Sequence, residues 1–94
     1  MKIIQTEKYS LRYDIEDDIV ILDNLTVLNE FRGKGIAKEA MNDFLNKFKD
    51  SKIELHAYPQ DNSTNLSKLV DFYKSFGFRV ICGDDSIGYE MKNY

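Results

Sequence analysis

The chain has 94 residues, enough for one domain that buries roughly 60–68% of its unfolded surface. Hydrophobic residues make up 43% and charged residues of both signs, intermingled, make up 31%, which excludes a disordered polar chain. The net charge of −3 argues against a nucleic-acid-binding domain, because phosphate contacts need a basic face.

The N-terminal segment Lys2–Gln5 reads as a short edge strand. Tyr9, Leu11, Tyr13 and Ile15 then alternate with Ser10, Arg12 and Asp14, the period of a half-buried strand. Glu16-Asp17-Asp18 is a polar turn, and Ile19 to Leu28 is a long aliphatic strand, so the two strands are expected to form an antiparallel hairpin. The second strand carries more apolar residues than alternation allows, which predicts burial on both faces or a bulge.

A helix is expected from about Gly35 to Lys49. Its apolar stripe is Ile36, Ala37, Ala40, Met41, Phe44, Leu45 and Phe48. Ile53 to Tyr58 alternates as a strand, completing a strand–helix–strand unit whose strands should run parallel. A polar loop from Pro59 to Asn65 offers several helix caps. A second helix follows from Leu66 to Phe76, stopped by Gly77. Phe78 to Cys82 and Ile87 to Met91 are the last two strands. The expected architecture is α+β, an α/β sandwich with a mixed sheet, one parallel crossover and two main helices in a single domain, 1–94.

Cys82 is the only cysteine, so no internal disulfide forms, and with a single histidine a zinc site is not expected. Cys82 itself reads as a small buried hydrophobe. No signal core and no stretch near ~20 apolar residues occurs, so no membrane span is expected and the protein is placed in the cytoplasm.

Chemistry concentrates where the long strand meets the first helix, at Arg32-Gly33-Lys34-Gly35. Glycines let the backbone turn sharply and approach a ligand closely. The helix start presents unpaired N–H groups and the positive end of its dipole, and Arg32 and Lys34 add charge. This is an anion site suited to phosphate. It is neither a dinucleotide fingerprint, which needs a small residue at Lys38, nor a P-loop, which needs Gly-Lys-Ser/Thr after a longer loop. A surface turn with two glycines and two basic residues is the plainer alternative.

Two motifs resemble one family. Val27-x-x-x-x-Arg32-Gly33-x-Gly35-Ile36-Ala37 resembles the acetyl-coenzyme A loop of the GCN5-related N-acetyltransferases (GNATs). Phe72-Tyr73-Lys74-Ser75-Phe76-Gly77-Phe78 resembles their second signature, a Phe/Leu-Tyr pair followed by Gly-Phe. The resemblance covers Ile19 to Met91. It implies acetyl-coenzyme A as cofactor and transfer of acetyl to an amine. Backbone of Leu25 and Val27 would hold the pantetheine arm and thioester. The N–H groups of Arg32, Gly33, Lys34, Gly35, Ile36 and Ala37 would hold the pyrophosphate. Tyr73 would be the general acid, its plainer alternative being a core tyrosine. The family often has an asparagine seven residues ahead of this tyrosine. Leu66 has that spacing here, and Asn65, one residue earlier, is the candidate counterpart.

For a base, Asp23, Glu54, His56 and water are all open. Relatives usually carry a longer N-terminal part over the acceptor side. Its shortness here implies an open acceptor site and a protein lysine as acceptor, or completion by a partner such as a second copy. Very small acetyltransferases of phage and mobile elements share this length and the stretch Ala57-Tyr58-Pro59-Gln60-Asp61, which implies a possible anti-CRISPR role against type V systems. The competing class is a coenzyme A-binding interaction module or inhibitor without turnover.

Overall fold

The computed structural model describes residues 2–31, 33–58 and 65–94. Arg32 and the polar loop 59–64 lie outside the described residues. Backbone contacts divide the chain into two units, Met1–Ser51 and Lys52–Tyr94.

In the first unit, strands β1 (Lys2–Gln5), β2 (Tyr9–Glu16) and β3 (Ile19–Val27) pair antiparallel in that order. Asp17 and Asp18, both at positive φ, close the β2–β3 hairpin as a tight two-residue turn whose twist suits antiparallel strands. Register explains the excess of apolar residues in β3. Arg12 faces Asn24 and Tyr13 faces Leu22, so Asp23 is an extra residue and the strand bulges there. The bulge turns Leu22 and Leu25 to the same side of the sheet, opposite Tyr13 and Leu11. Helix α1 (Ile36–Lys47) packs on β2 and β3. It buries Ala40, Met41 and Phe44 against Tyr9, Leu11, Tyr13, Val20 and Leu22. The Tyr13, Phe44 and Phe48 rings meet edge to face at 5.1–5.7 Å. Ile15 departs from the expected buried face: at the end of the hairpin it stands exposed.

In the second unit, strands β4 (Lys52–Ala57), β6 (Gly88–Lys92) and β5 (Arg79–Asp84) pair antiparallel, with β6 in the middle. Ile53, Leu55 and Ala57 are buried on one face of β4, and Met91 joins them from β6. Helix α2 (Leu66–Lys74) packs on β4 and buries Val70 and Tyr73. The opposite face is polar. There Lys92 pairs with Glu54 at 3.1 Å, and the Tyr94 hydroxyl donates to Glu54 at 2.9 Å. Asn93 extends the ladder, accepting from Ile53 N–H at 2.7 Å and donating its own N–H to the Ile53 carbonyl at 3.1 Å.

Cys82 corrects the expectation of a buried thiol. Every residue of the outer strand β5 is exposed, because its only described sheet neighbour is β6. The thiol donates to Glu90 at 3.3 Å, and that hydrogen bond raises its pKa. Cys82 is therefore a protonated surface group rather than a core atom.

Two glycines of this unit differ in a testable way. Gly83, at φ +126°, has no room for a side chain: a Cβ would collide with the Gly88 carbonyl oxygen, a backbone atom. Gly77, at φ +94°, has open space around it, so a side chain there costs only backbone strain. Gly77→Ala is expected to lower Tm by roughly 5–10 °C. Gly83→Ala should lower it further or prevent folding. Equal shifts in thermal melts of the two variants would show the close approach at Gly83 to be wrong.

Candidate functional site

In the first unit the candidate is the turn between β3 and α1. A short 3-10 turn at Asn29–Phe31 follows β3, and the chain then enters α1 through Gly33 at φ +79° and Gly35 at φ +76°. Both values lie in the left-handed region that favours glycine. Gly35 is the N-cap and supplies no side-chain cap. The first intrahelical bond runs from Glu39 N–H to the Gly35 carbonyl at 3.1 Å, so the N–H groups of Ile36, Ala37 and Lys38 precede the ladder. A Cβ built at Gly33 or at Gly35 meets nothing within 4 Å. Backbone donors, a helix dipole and open space coincide, and these residues fit a pyrophosphate. Lys34 is exposed beside them, its ammonium 6.0 Å from the centre of the Phe31 ring. Phe31 was not a candidate by sequence; an aromatic three residues ahead of a loop lysine is the signal that would have named it.

Leu25 and Val27, opposite Leu11 and Tyr9, are half-buried at the end of β3, and Ile36 and Ala37 are half-buried at the start of α1. Asn24, also missed by sequence, donates to Thr26 Oγ1 at 3.2 Å. Its own Oδ1 is buried without a hydrogen-bond partner among the described residues, an acceptor suited to an N–H group.

In the second unit the candidate is the end of α2, where Tyr73 is 8% exposed. The stop that holds it is a Schellman motif. Phe78 N–H reaches back to the Tyr73 carbonyl at 3.4 Å, Gly77 N–H to the Lys74 carbonyl at 3.0 Å, and Gly77 takes the left-handed conformation. The accompanying apolar contact is between Tyr73 and Phe78, rings 6.3 Å apart, with Phe72 on the other side at 5.4 Å. The sequence Tyr-x-x-x-Gly-Phe is thus a helix stop whose first residue is the tyrosine. Burial pushes the Tyr73 hydroxyl up to about 12 from a usual 10.0. A phenol in that state keeps its proton at any physiological pH and acts as a donor.

Asn65 serves α2 as N-cap, its Oδ1 accepting Lys68 N–H at 2.8 Å. Its amide nitrogen makes no described hydrogen bond and can donate to a ligand. The candidate bases differ in what binds them. Glu54 is held below its usual range, mainly by the Lys92 hydrogen bond and then by Tyr94. His56 Nε2 lies 2.6 Å from the Ile87 carbonyl, so this nitrogen carries a hydrogen and cannot accept a proton. Asp23 is exposed at the bulge.

A family model described as "Acetyltransferase (GNAT) domain" matches residues 3–80. Among solved structures, the anti-CRISPR protein AcrVA5 is similar at 30% identity and a TM-score of 0.72, over 97% of this chain and 95% of that one. Arabidopsis thaliana Naa50, solved with the bisubstrate analogue CoA-Ac-MVNAL, is similar in fold at 22% identity and a TM-score of 0.65, over 93% of this chain and 65% of its own. The PaiA N-acetyltransferase of Thermoplasma acidophilum, solved with coenzyme A, gives 20% identity and a TM-score of 0.64, over 90% and 52%. This chain therefore spans less than two thirds of the latter two. No curated protein sequence matches it. The α+β class with two main helices expected from the sequence is the fold these matches show.

The raised Tyr73 pKa couples to stability. Its proton is held more tightly folded than unfolded, so this contribution is intact below pH 10 and is lost as pH rises toward about 12. The loss should amount to about 2–3 kcal/mol for a shift of this size. In urea titrations across that range Tyr73→Phe should flatten the alkaline decline. An unchanged decline would mean that Tyr73 ionises as a solvated phenol.

Proposed function

The chain belongs to the GNAT acetyltransferase family, and from that premise we propose that it is an active acetyl-coenzyme A-dependent N-acetyltransferase whose acceptor is a protein lysine. Bound acetyl-coenzyme A supplies the thioester carbon that the amine attacks. The observation that carries the reading is the state of Tyr73: buried, fixed by a helix stop and kept protonated. In this role its Oη holds the proton that the departing sulfur needs. The backbone N–H groups from Gly33 to Ala37, with Lys34 and Arg32, bind the pyrophosphate, and the backbone of Leu25 and Val27 orients the arm. Asn65 contributes from its free amide nitrogen. Both motifs fall within or at the edge of the matched span. Of the side chains weighed as base, Asp23 is the one without a competing partner described above, and water serves equally.

An anti-CRISPR role draws support from the likeness to AcrVA5, an anti-CRISPR protein, over nearly its whole length. A peptide-borne amine also agrees with the acceptor portion of the analogue in the Naa50 complex. The lone cysteine agrees with a reducing cytoplasm. Among the described residues no helix is long and apolar enough to cross a membrane. A homodimer is compatible with this reading.

Gly35→Glu sets a carboxylate in the open space above the helix start. Acetyl-coenzyme A binding should be lost while the fold is kept, and calorimetry showing unchanged affinity in a folded variant would remove the loop from the site.

Tyr73→Phe keeps the packing and removes the proton. Turnover on a lysine-bearing protein should fall ~10–10⁴-fold, with coenzyme A affinity little changed. Polyamines and aminoglycosides assayed in parallel test the acceptor class: efficient acetylation of these with no protein modified would refute the lysine assignment. A chain that binds coenzyme A but acetylates nothing would be an interaction module.

A further inference from the structure

Strand β5 (Arg79–Asp84) lies outermost in the second unit, and every one of its residues is exposed. Val80 is 38% exposed and Ile81 45%. An outer strand offers a row of backbone N–H and C=O groups to another chain, and proteins guard such edges with lysine, proline, bulges or a covering element. β5 has a bulge between Val80 and Cys82, but no lysine and no proline, and it leaves two β-branched side chains in the open. Charges stand at its two ends, Arg79 at the start and Asp84 at the finish.

Register sets where these charges point. Arg79 pairs with Lys92 and Asp84 with Gly88, an even number of residues apart on β6, so both belong to one face of the sheet. In an unbroken strand they would fall on opposite faces; the bulge brings them together. Val80 pairs with Met91 and Gly83 with Tyr89, so these two share the other face. Both charged groups have capacity left. Asp84 Oδ1 accepts from Ser86 N–H at 2.8 Å, Ser86 Oγ at 2.7 Å and Ile87 N–H at 3.0 Å, while its Oδ2 makes no described hydrogen bond. The Ser86 hydroxyl, and then the two N–H groups, hold this carboxyl below its usual range, so it is charged at neutral pH. Arg79 uses one guanidinium nitrogen, bonded to the Tyr94 carbonyl at 2.6 Å.

The pattern is self-complementary. Two copies of β5 can pair antiparallel about a two-fold axis normal to the sheet, with residue 79 opposite 84, 80 opposite 83 and 81 opposite 82. Arg79 then meets Asp84 of the second copy at both ends. Val80 meets Gly83, where no side chain competes for the space. Each of these two pairings joins residues of one face, as such an axis requires. A parallel alignment would instead set Arg79 beside Arg79 and Asp84 beside Asp84.

We infer that β5 docks the β5 of a second copy, antiparallel and edge to edge, through two Arg79–Asp84 ion pairs flanking Val80 and Ile81. The inference is independent of turnover and goes beyond the proposed reaction. A contact one strand wide is smaller than a standard interface, so the dimer is weak and forms at high concentration.

The test uses the full chain without acetyl donor. Sedimentation at rising concentration should show monomer passing to dimer, with amide shifts confined to residues 79–84, and added salt should weaken the association. Arg79→Glu sets like charges at both ends and should weaken it ~10-fold or more. Asp84→Lys should do the same, yet the two variants mixed should pair again, since each supplies the charge the other lacks. Asp84 also holds the turn, so Asp84→Asn, which keeps the Oδ1 acceptor, is a second variant that should weaken association without loss of fold. Ile81→Lys places a guarding charge on the edge and should abolish pairing. Acetyl-coenzyme A affinity, measured by calorimetry, should stay unchanged in all of these. A chain that remains monomeric up to about 1 mM would overturn the docking edge. So would dimer shifts centred outside β5, or no recovery when the folded Arg79→Glu and Asp84→Lys chains are mixed. Shifts at β5 that require an added peptide of foreign sequence would give the edge to another partner and overturn it too.

Discussion

The anion-binding start of α1 depends on a backbone constraint: the chain enters the helix through two left-handed residues, Gly33 and Gly35. A side chain at either would have to adopt a conformation that L-residues rarely take. With glycine, β3 passes into α1 in a few residues, and the start of the helix keeps both its donors and open space above them. The attraction is local. In a chain of net charge −3, the peptide dipoles and Lys34 make one positive spot, and an anion is drawn there by geometry more than by overall charge.

Glycine performs the complementary task in the other unit. Gly77 ends α2 in a Schellman motif, and the tyrosine that opens that motif is the one buried against Phe78. One device stops the helix and fixes the phenol. The two sites have opposite electrostatic designs. The turn before α1 exposes backbone dipoles to meet a charge, whereas the end of α2 hides a hydroxyl so that it stays neutral.

The second unit shows how an antiparallel sheet divides its faces. One face of β4 and β6 is apolar, with Ile53, Leu55, Ala57 and Met91 buried. The other carries Glu54 and Lys92, with the Tyr94 ring between the Lys52 and Lys92 ammonium groups at 5.4 Å and 5.2 Å. Arg79 adds a bond to the Tyr94 carbonyl at 2.6 Å. The C-terminal residues are thus part of the sheet's polar surface. This network also ties up Glu54, removing a carboxylate that sequence alone left open as a base.

The sequence by itself determined the elements whose signals are local. Alternation placed β2, the three- and four-residue steps placed α1, and glycines after apolar runs marked both turns, because these patterns act within a few residues. The two family motifs named the loop and the tyrosine for the same reason. What required tertiary structure were the facts set by chain pairing. Only register showed that Asp23 is the bulged residue and that Leu22 and Leu25 share a side. Only strand order showed that β5 lies outside β6, which leaves Cys82 exposed although its residue type is usually buried. His56 and Asn65 look like free polar groups in the sequence, and each is bound by a partner that folding supplies: the carbonyl of Ile87, 31 residues away, and the first turn of α2. Burial of the Tyr73 hydroxyl is likewise a property of packing, and packing gives a phenol of ordinary sequence its raised pKa.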